Sequence, residues 1–163
     1  MTAAAERADI AAEQIRLLHI IWIAFLAAVV VYTPIPWVII SEGADSAPLP
    51  PLGVRSGLHF AALGAAVSSF VAKRWWTNSL LAAMSAASGA GVGGDAWARL
   101  RIGCVITWAL SEAVAIVGLT LSIIARRPLA AAPFAAGAVL LLYLHRPASW
   151  PLQALMRIGG HSA

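Results

Sequence analysis

The chain has 163 residues, is 61% hydrophobic and 11% charged, and has a mean hydropathy of +0.83; a water-soluble domain of that size cannot hide so much apolar surface. Its formal net charge of +4 comes from Arg and Lys flanking apolar blocks, with no basic patch interleaved with aromatics, so nucleic acid is excluded as an expected partner. What remains is an all-α polytopic membrane protein, one membrane domain over 1–163, with no room for a folded soluble domain.

Residues 2–16 carry helical spacing, with Ile10, Gln14 and Leu17 or Leu18 on one side, and read as a cytoplasmic extension of the first span. The first span itself is expected at 17–40, where Pro34 and Pro36 end or kink the helix near its far interface. Glu6, Asp9 and Glu13 mix with Arg7 and Arg16 ahead of an apolar run longer than a signal-peptide core, so this segment is expected to be retained. Residues 42–54, with their prolines, glycines and acids, read as a loop outside the lipid.

A second span is expected at 56–72, bounded by Arg55 and by Lys73, Arg74, Trp75 and Trp76. Residues 78–98 begin apolar and then meet Gly89, Gly91, Gly93 and Gly94, which predicts a short interfacial or re-entrant helix between the second and third spans. The third span is expected at 102–125 and the fourth at 129–145, joined as a tight hairpin by Arg126, Arg127 and Pro128, with a cytoplasmic tail at 146–163. Four transmembrane helices put Arg7, Arg16, Lys73, Arg74, Arg99, Arg101, Arg146 and Arg157 on one side and Arg55, Arg126 and Arg127 on the other. The positive-inside rule then predicts N-in/C-in topology, and the prevalence of Arg over Lys in an Ala-rich chain points to a bacterial inner membrane. Trp75, Trp76, Trp97 and Trp150 beside the inner charges, and Tyr32 and Trp37 at the outer end of the first span, are expected to anchor the interfaces.

One side chain breaks the apolar pattern. Glu112 lies about 16 Å from Arg101 and about 20 Å from Arg126 along a straight helix, near mid-bilayer. A carboxyl at that depth is costly unless neutralised or matched. No Lys or Arg lies within any expected span, so two readings stand: a neutral acid used as interhelical or intersubunit glue, or a proton or cation site, with Thr107 and Ser111 as nearby hydroxyls. Small residues predict where helices meet. Gly118 and Ser122 mark a stripe on the third span, Gly57, Gly64 and Ser68 a matching one on the second, and Gly137 lies at similar depth on the fourth. The second and third spans are therefore expected to form the tight pair. Cys104 is alone, which excludes an intrachain disulfide and leaves it a small apolar residue.

The stretch Ala109-Leu110-Ser111-Glu112-Ala113-Val114-Ala115-Ile116-Val117-Gly118-Leu119 resembles the carboxylate-bearing helix of the c-subunits, or proteolipids, of rotary ATP synthases, whose pattern is similar to A-L/F-x-E-A-x-x-I-x-G-L. Arg99 and Arg101 also match the charged approach to that helix, and the likeness covers residues 101–125. It implies that Glu112 would bind a translocated proton or sodium ion.

A different class is a bis-histidine haem protein. His19 opens the first span and His145 closes the fourth, at the same inner interface, where two imidazoles could bracket haem b. Catalytic signatures are missing: no H-x-x-x-H, no G-x-S-x-G, and a glycine cluster without the Lys-Ser/Thr of a phosphate loop. The sequence thus predicts no cofactor as its main reading, no enzymatic site, and a non-catalytic subunit of a larger membrane complex or a homo-oligomer, with ion translocation through Glu112 as the competing function and the bilayer and other membrane subunits as partners.

Overall fold

The computed structural model describes residues 3–40, 50–86 and 94–147. The tail beyond them, Trp150 and Arg157 included, and the glycines from Gly89 to Gly93 lie outside the described residues, as does most of the expected 42–54 loop. Among the described residues every regular element is helical: α1 (Ala3–Tyr32), α2 (Ile35–Ile39), α3 (Leu52–Ala86), α4 (Gly94–Ala125), a 3-10 turn (Pro128–Ala131) and α5 (Ala132–Leu144). Three stretches are long and apolar enough to cross a membrane: Ala12–Ile39, Leu52–Leu80 and Trp97–Ala125. The fourth, Pro128–Leu144, is shorter and opens with a proline-initiated 3-10 turn. The chain is thus an all-α, multi-pass membrane protein with three helices of spanning length and one shorter apolar helix.

Local chemistry fixes the breaks. Pro34 and Pro36 supply no backbone N–H to continue α1, and the chain restarts as α2 with Pro34 as its N-cap. α4 ends in a Schellman arrangement: the Arg127 N–H donates to the Ser122 carbonyl at 3.0 Å and the Arg126 N–H to the Ile123 carbonyl at 3.2 Å. Arg126 there takes φ 51°, a left-handed conformation in which a non-glycine residue is strained. The Ser122 hydroxyl holds the turn, donating to the Arg127 carbonyl at 2.9 Å. Pro128 follows at once, and Pro133 starts α5 near the position where a missing N–H costs nothing.

The second helix differs most from expectation. α3 does not stop at residue 72 but runs on to Ala86, so 78–86 belongs to α3 and 94–98 to α4. A separate interfacial or re-entrant helix is therefore replaced by two extended ends. The physical reason is that Lys73 and Arg74 are good helix formers: charge closes the apolar window without closing the helix.

α4 is the hub. It packs along α3 as an antiparallel pair and also contacts α1, α2, the 3-10 turn and α5. Its interior face is Leu100, Trp108, Val114, Ala115 and Leu121, joined by the buried Leu18 and Val29 of α1, Ala62, Trp76 and Leu80 of α3, and Ala138, Leu141 and Leu142 of α5. Trp76 and Trp97 are buried in this core and not laid along an interface, whereas Trp37 and Trp75 are exposed. Two glycines of α4 receive rings from neighbouring helices: a Cβ on Gly103 would collide with Trp76, and one on Gly118 with Phe134 of α5. These are the close approaches on which α3 and α5 seat.

Gly118→Leu should therefore destabilise the fold by about 1–3 kcal/mol, the range for overpacking a filled site. Far-UV circular dichroism during titration from mild detergent into SDS reads the change. An unchanged midpoint would show that Phe134 moves aside freely.

Candidate functional site

The carboxyl singled out by the sequence sits on α4, half-buried, facing α1. The Tyr32 phenol in the last turn of α1 lies near enough to interact with the Glu112 carboxyl. No cationic side chain pairs with Glu112 among the described residues. A neutral group thus stands beside the carboxyl.

Thr107 and Ser111, expected near the carboxyl, point elsewhere. Consecutive helical positions differ by about 100°, so Ser111 turns away from Glu112 into the core. The Thr107 hydroxyl donates to the Gly103 carbonyl at 2.8 Å and accepts from the Trp76 indole N–H at 3.2 Å. The Ser111 hydroxyl donates to the Thr107 carbonyl at 2.9 Å and faces His145 Nδ1 at 3.4 Å. Both residues therefore serve the contacts of α4 with α3 and α5.

The larger polar cluster surrounds the C-terminal end of α5. The last carbonyls of a helix have no partner within it, and in an apolar medium each must find one. Three helices supply donors. The Trp22 indole of α1 donates to the Leu142 carbonyl at 2.9 Å, the Lys73 ammonium of α3 to the Leu144 carbonyl at 3.1 Å, and the Trp108 indole of α4 to the His145 carbonyl at 2.8 Å. The carbonyls of Leu141 and Tyr143 are met by the backbone N–H groups of His145 and Arg146. The positive charge of Lys73 also lies at the negative end of the α5 dipole.

His145 is buried at the centre of this collar, its ring edge-on to Phe70 with centroids 5.0 Å apart. Because the Ser111 proton is engaged by Thr107, its oxygen is left to accept from the imidazole if Nδ1 carries the proton. His145 Nε2 has no hydrogen-bond partner. His19 uses Nδ1 on the Ile15 carbonyl of its own helix at 2.9 Å and is half-buried. Among the described residues the two imidazoles make no contact with each other, and no group of three or more His, Cys, Asp and Glu could hold a metal ion.

The small residues divide. Gly118 and Ser122 face the core and the closing turn, and Gly137 approaches Val114. Gly57, Gly64 and Ser68 lie on the exposed side of α3, with nothing within 4 Å of a Cβ at either glycine. α3 meets α4 instead through Ala62, Ser69, Trp76 and Leu80. The sequence alone does not mark Trp22, Lys73 and Tyr32 as site residues; an indole inside the first span and a lysine beside the end of an apolar helix are the available signals.

Comparison with protein-family models, curated proteins and solved structures finds no match.

Trp108→Phe keeps the ring against Phe25 (centroids 6.1 Å apart) but leaves the His145 carbonyl without its donor. The expected loss is about 1–3 kcal/mol of unfolding free energy. Trp22→Phe should behave alike, and the pair together should cost less than the two losses added, because both donors hold one helix end. Strict additivity in a double-mutant cycle would show that the two indoles act independently.

Proposed function

We propose that this chain is an N-in/C-in protein of the bacterial inner membrane that serves as a non-catalytic subunit of a larger membrane complex or of a homo-oligomer. The observation that carries this reading is the outward track of Gly57, Ala61, Gly64 and Ser68 on α3. Their spacing keeps them on one helix face, amid exposed Phe60, Leu63, Val67 and Val71. Small residues in such a setting let a second backbone approach closely, whereas large apolar ones alone suit lipid. The polar side chains of the interior support the same reading, since Trp22, Lys73, Trp76, Thr107, Trp108 and Ser111 are taken up in tying the chain's own helices together. In this reading α5 completes a fourth crossing, and Glu112 with Tyr32 is an interhelical tie.

A second reading, proton or cation transfer at Glu112, draws on one feature: the partner of the carboxyl is neutral, so a proton can be gained or lost without breaking an ion pair. The two make different demands on Glu112→Gln. A tie should survive the change with the protein still assembled, because the amide retains an acceptor for Tyr32; a carrier should assemble and lose transport.

Three measurements test the proposal. Gly57→Leu with Gly64→Leu should lower the mass of the detergent-solubilised complex while helicity is unchanged; an unaltered mass overturns the packing role. Proteoliposomes should show no proton flux that a carboxyl-reactive carbodiimide blocks and Glu112→Gln abolishes, and such a flux would install the carrier reading. For topology, alkaline phosphatase fused after Arg127 should be active and the same enzyme fused within residues 87–93 inactive, with the reverse result refuting the orientation.

A further inference from the structure

A groove of about 390 Å³ runs along α4, lined by Ala98, Arg101, Ile102, Val105 and Ile106. The spacing places these five side chains on one face of the helix, with Trp108 one heptad beyond Arg101 along its border and Ser111 turned away toward α5. The groove is apolar except at one end. Arg101 stands there, at the boundary where the uncharged run 102–125 begins.

Arg101 is half-buried, and among the described residues it makes no hydrogen bond or ion pair. A guanidinium carries five donors and does not deprotonate, so a half-buried one without an acceptor is an incomplete arrangement. An anionic group that accepts in a fork geometry matches it best, and one that continues into an apolar body would also lie along Ile102, Val105 and Ile106. Ile102 and Ile106 are themselves exposed, which leaves the groove open to the hydrocarbon side. We propose that this groove is a binding site for an anionic phospholipid, with the phosphodiester on Arg101 and the upper part of one acyl chain against the isoleucines and Val105. Phosphate is the bidentate acceptor that arginine matches best. The groove is shallow and open, so it would seat only the glycerol phosphate and the start of a chain, while the rest of the lipid stays in the bilayer. The position of Arg101 at the charged edge of an apolar span is the depth at which headgroup phosphates lie.

Arg99 supplies a matched control. It sits two residues away with the same charge at the same height, exposed and outside the groove. General attraction of a basic edge to anionic lipid would treat the two arginines alike; a site would not. The experiment is native mass spectrometry of the full chain in neutral detergent, titrated with phosphatidylglycerol or phosphatidylcholine. Wild type should retain one phosphatidylglycerol in preference to phosphatidylcholine. Arg101→Gln should weaken that retention about tenfold, Arg101→Lys less because charge remains without the fork, and Arg99→Gln hardly at all. Circular dichroism confirms that each variant keeps its helicity. Equal losses from both arginines would reduce the site to diffuse electrostatics, equal retention of the zwitterionic lipid would remove the role of Arg101, and displacement by millimolar inorganic phosphate would make it a phosphate site and not a lipid one. Each of those results overturns the proposal.

Discussion

A helix that ends inside an apolar assembly must have its last carbonyls met from outside itself, and the end of α5 is met by three other helices at once. Trp22, Lys73 and Trp108 come from α1, α3 and α4, and each reaches a different carbonyl. Leaving the buried His145 carbonyl or the part-buried Leu142 carbonyl unmet costs far more than the same loss in water, whereas the Leu144 carbonyl is at the exposed edge. The relative placement of all four apolar helices is thereby coupled to a single helix terminus. The indoles suit this work because each brings a large apolar body and only one donor, so that the carbonyl is satisfied without stranding a second polar group. Lys73 adds charge where the helix dipole favours it, and its long apolar stem lets it reach there from α3.

Polar side chains on α4 are sorted by direction. Thr107 and Ser111, one turn apart, face α3 and α5, while Glu112 faces α1. α1 is therefore held at two levels, by Trp22 reaching α5 and by Tyr32 reaching the Glu112 carboxyl of α4. Between them, Phe25 packs against Trp108 and Leu18 and Val29 fill the interior. The phenol sets a neutral group beside the Glu112 carboxyl, which pairs with no cationic side chain among the described residues. His145 is the one collar residue with an unmet polar atom, because a C-terminal position brings its ring against Phe70 and leaves Nε2 facing carbon.

Hydropathy and helix breakers made the helical class and the approximate placement of the long apolar helices legible from sequence, because bilayer thickness and the chemistry of proline act locally. The stop after Ala125 was equally legible in Arg126, Arg127 and Pro128. Two things were not. The extension of α3 past Lys73 and Arg74 is invisible to hydropathy, which measures where apolar character ends and not where hydrogen bonding does. The partners of Glu112 and of the α5 carbonyls depend on which residues of distant segments arrive at one height, and no local spacing encodes that Trp22 meets Leu142 or that Tyr32 meets Glu112. Trp76 and Trp97 illustrate the same limit: beside charges they read as interfacial anchors, yet both are drawn into the core.

Small residues show why packing direction needs its complement as well as its gap. Gly103 and Gly118 are tight contacts because Trp76 and Phe134 stand opposite and fill the space a Cβ would take. Gly57 and Gly64 have the same chemistry and nothing opposite them among the described residues. A glycine in a helix interior carries a backbone-entropy penalty of about 0.5–1 kcal/mol relative to alanine, so two of them on an exposed face weaken α3 unless something is gained by the close approach they permit. Within α4 that gain is visible as two seated rings. On α3 no such ring stands opposite among the described residues, and it is this asymmetry, more than the smallness of the residues, on which the proposed assembly rests.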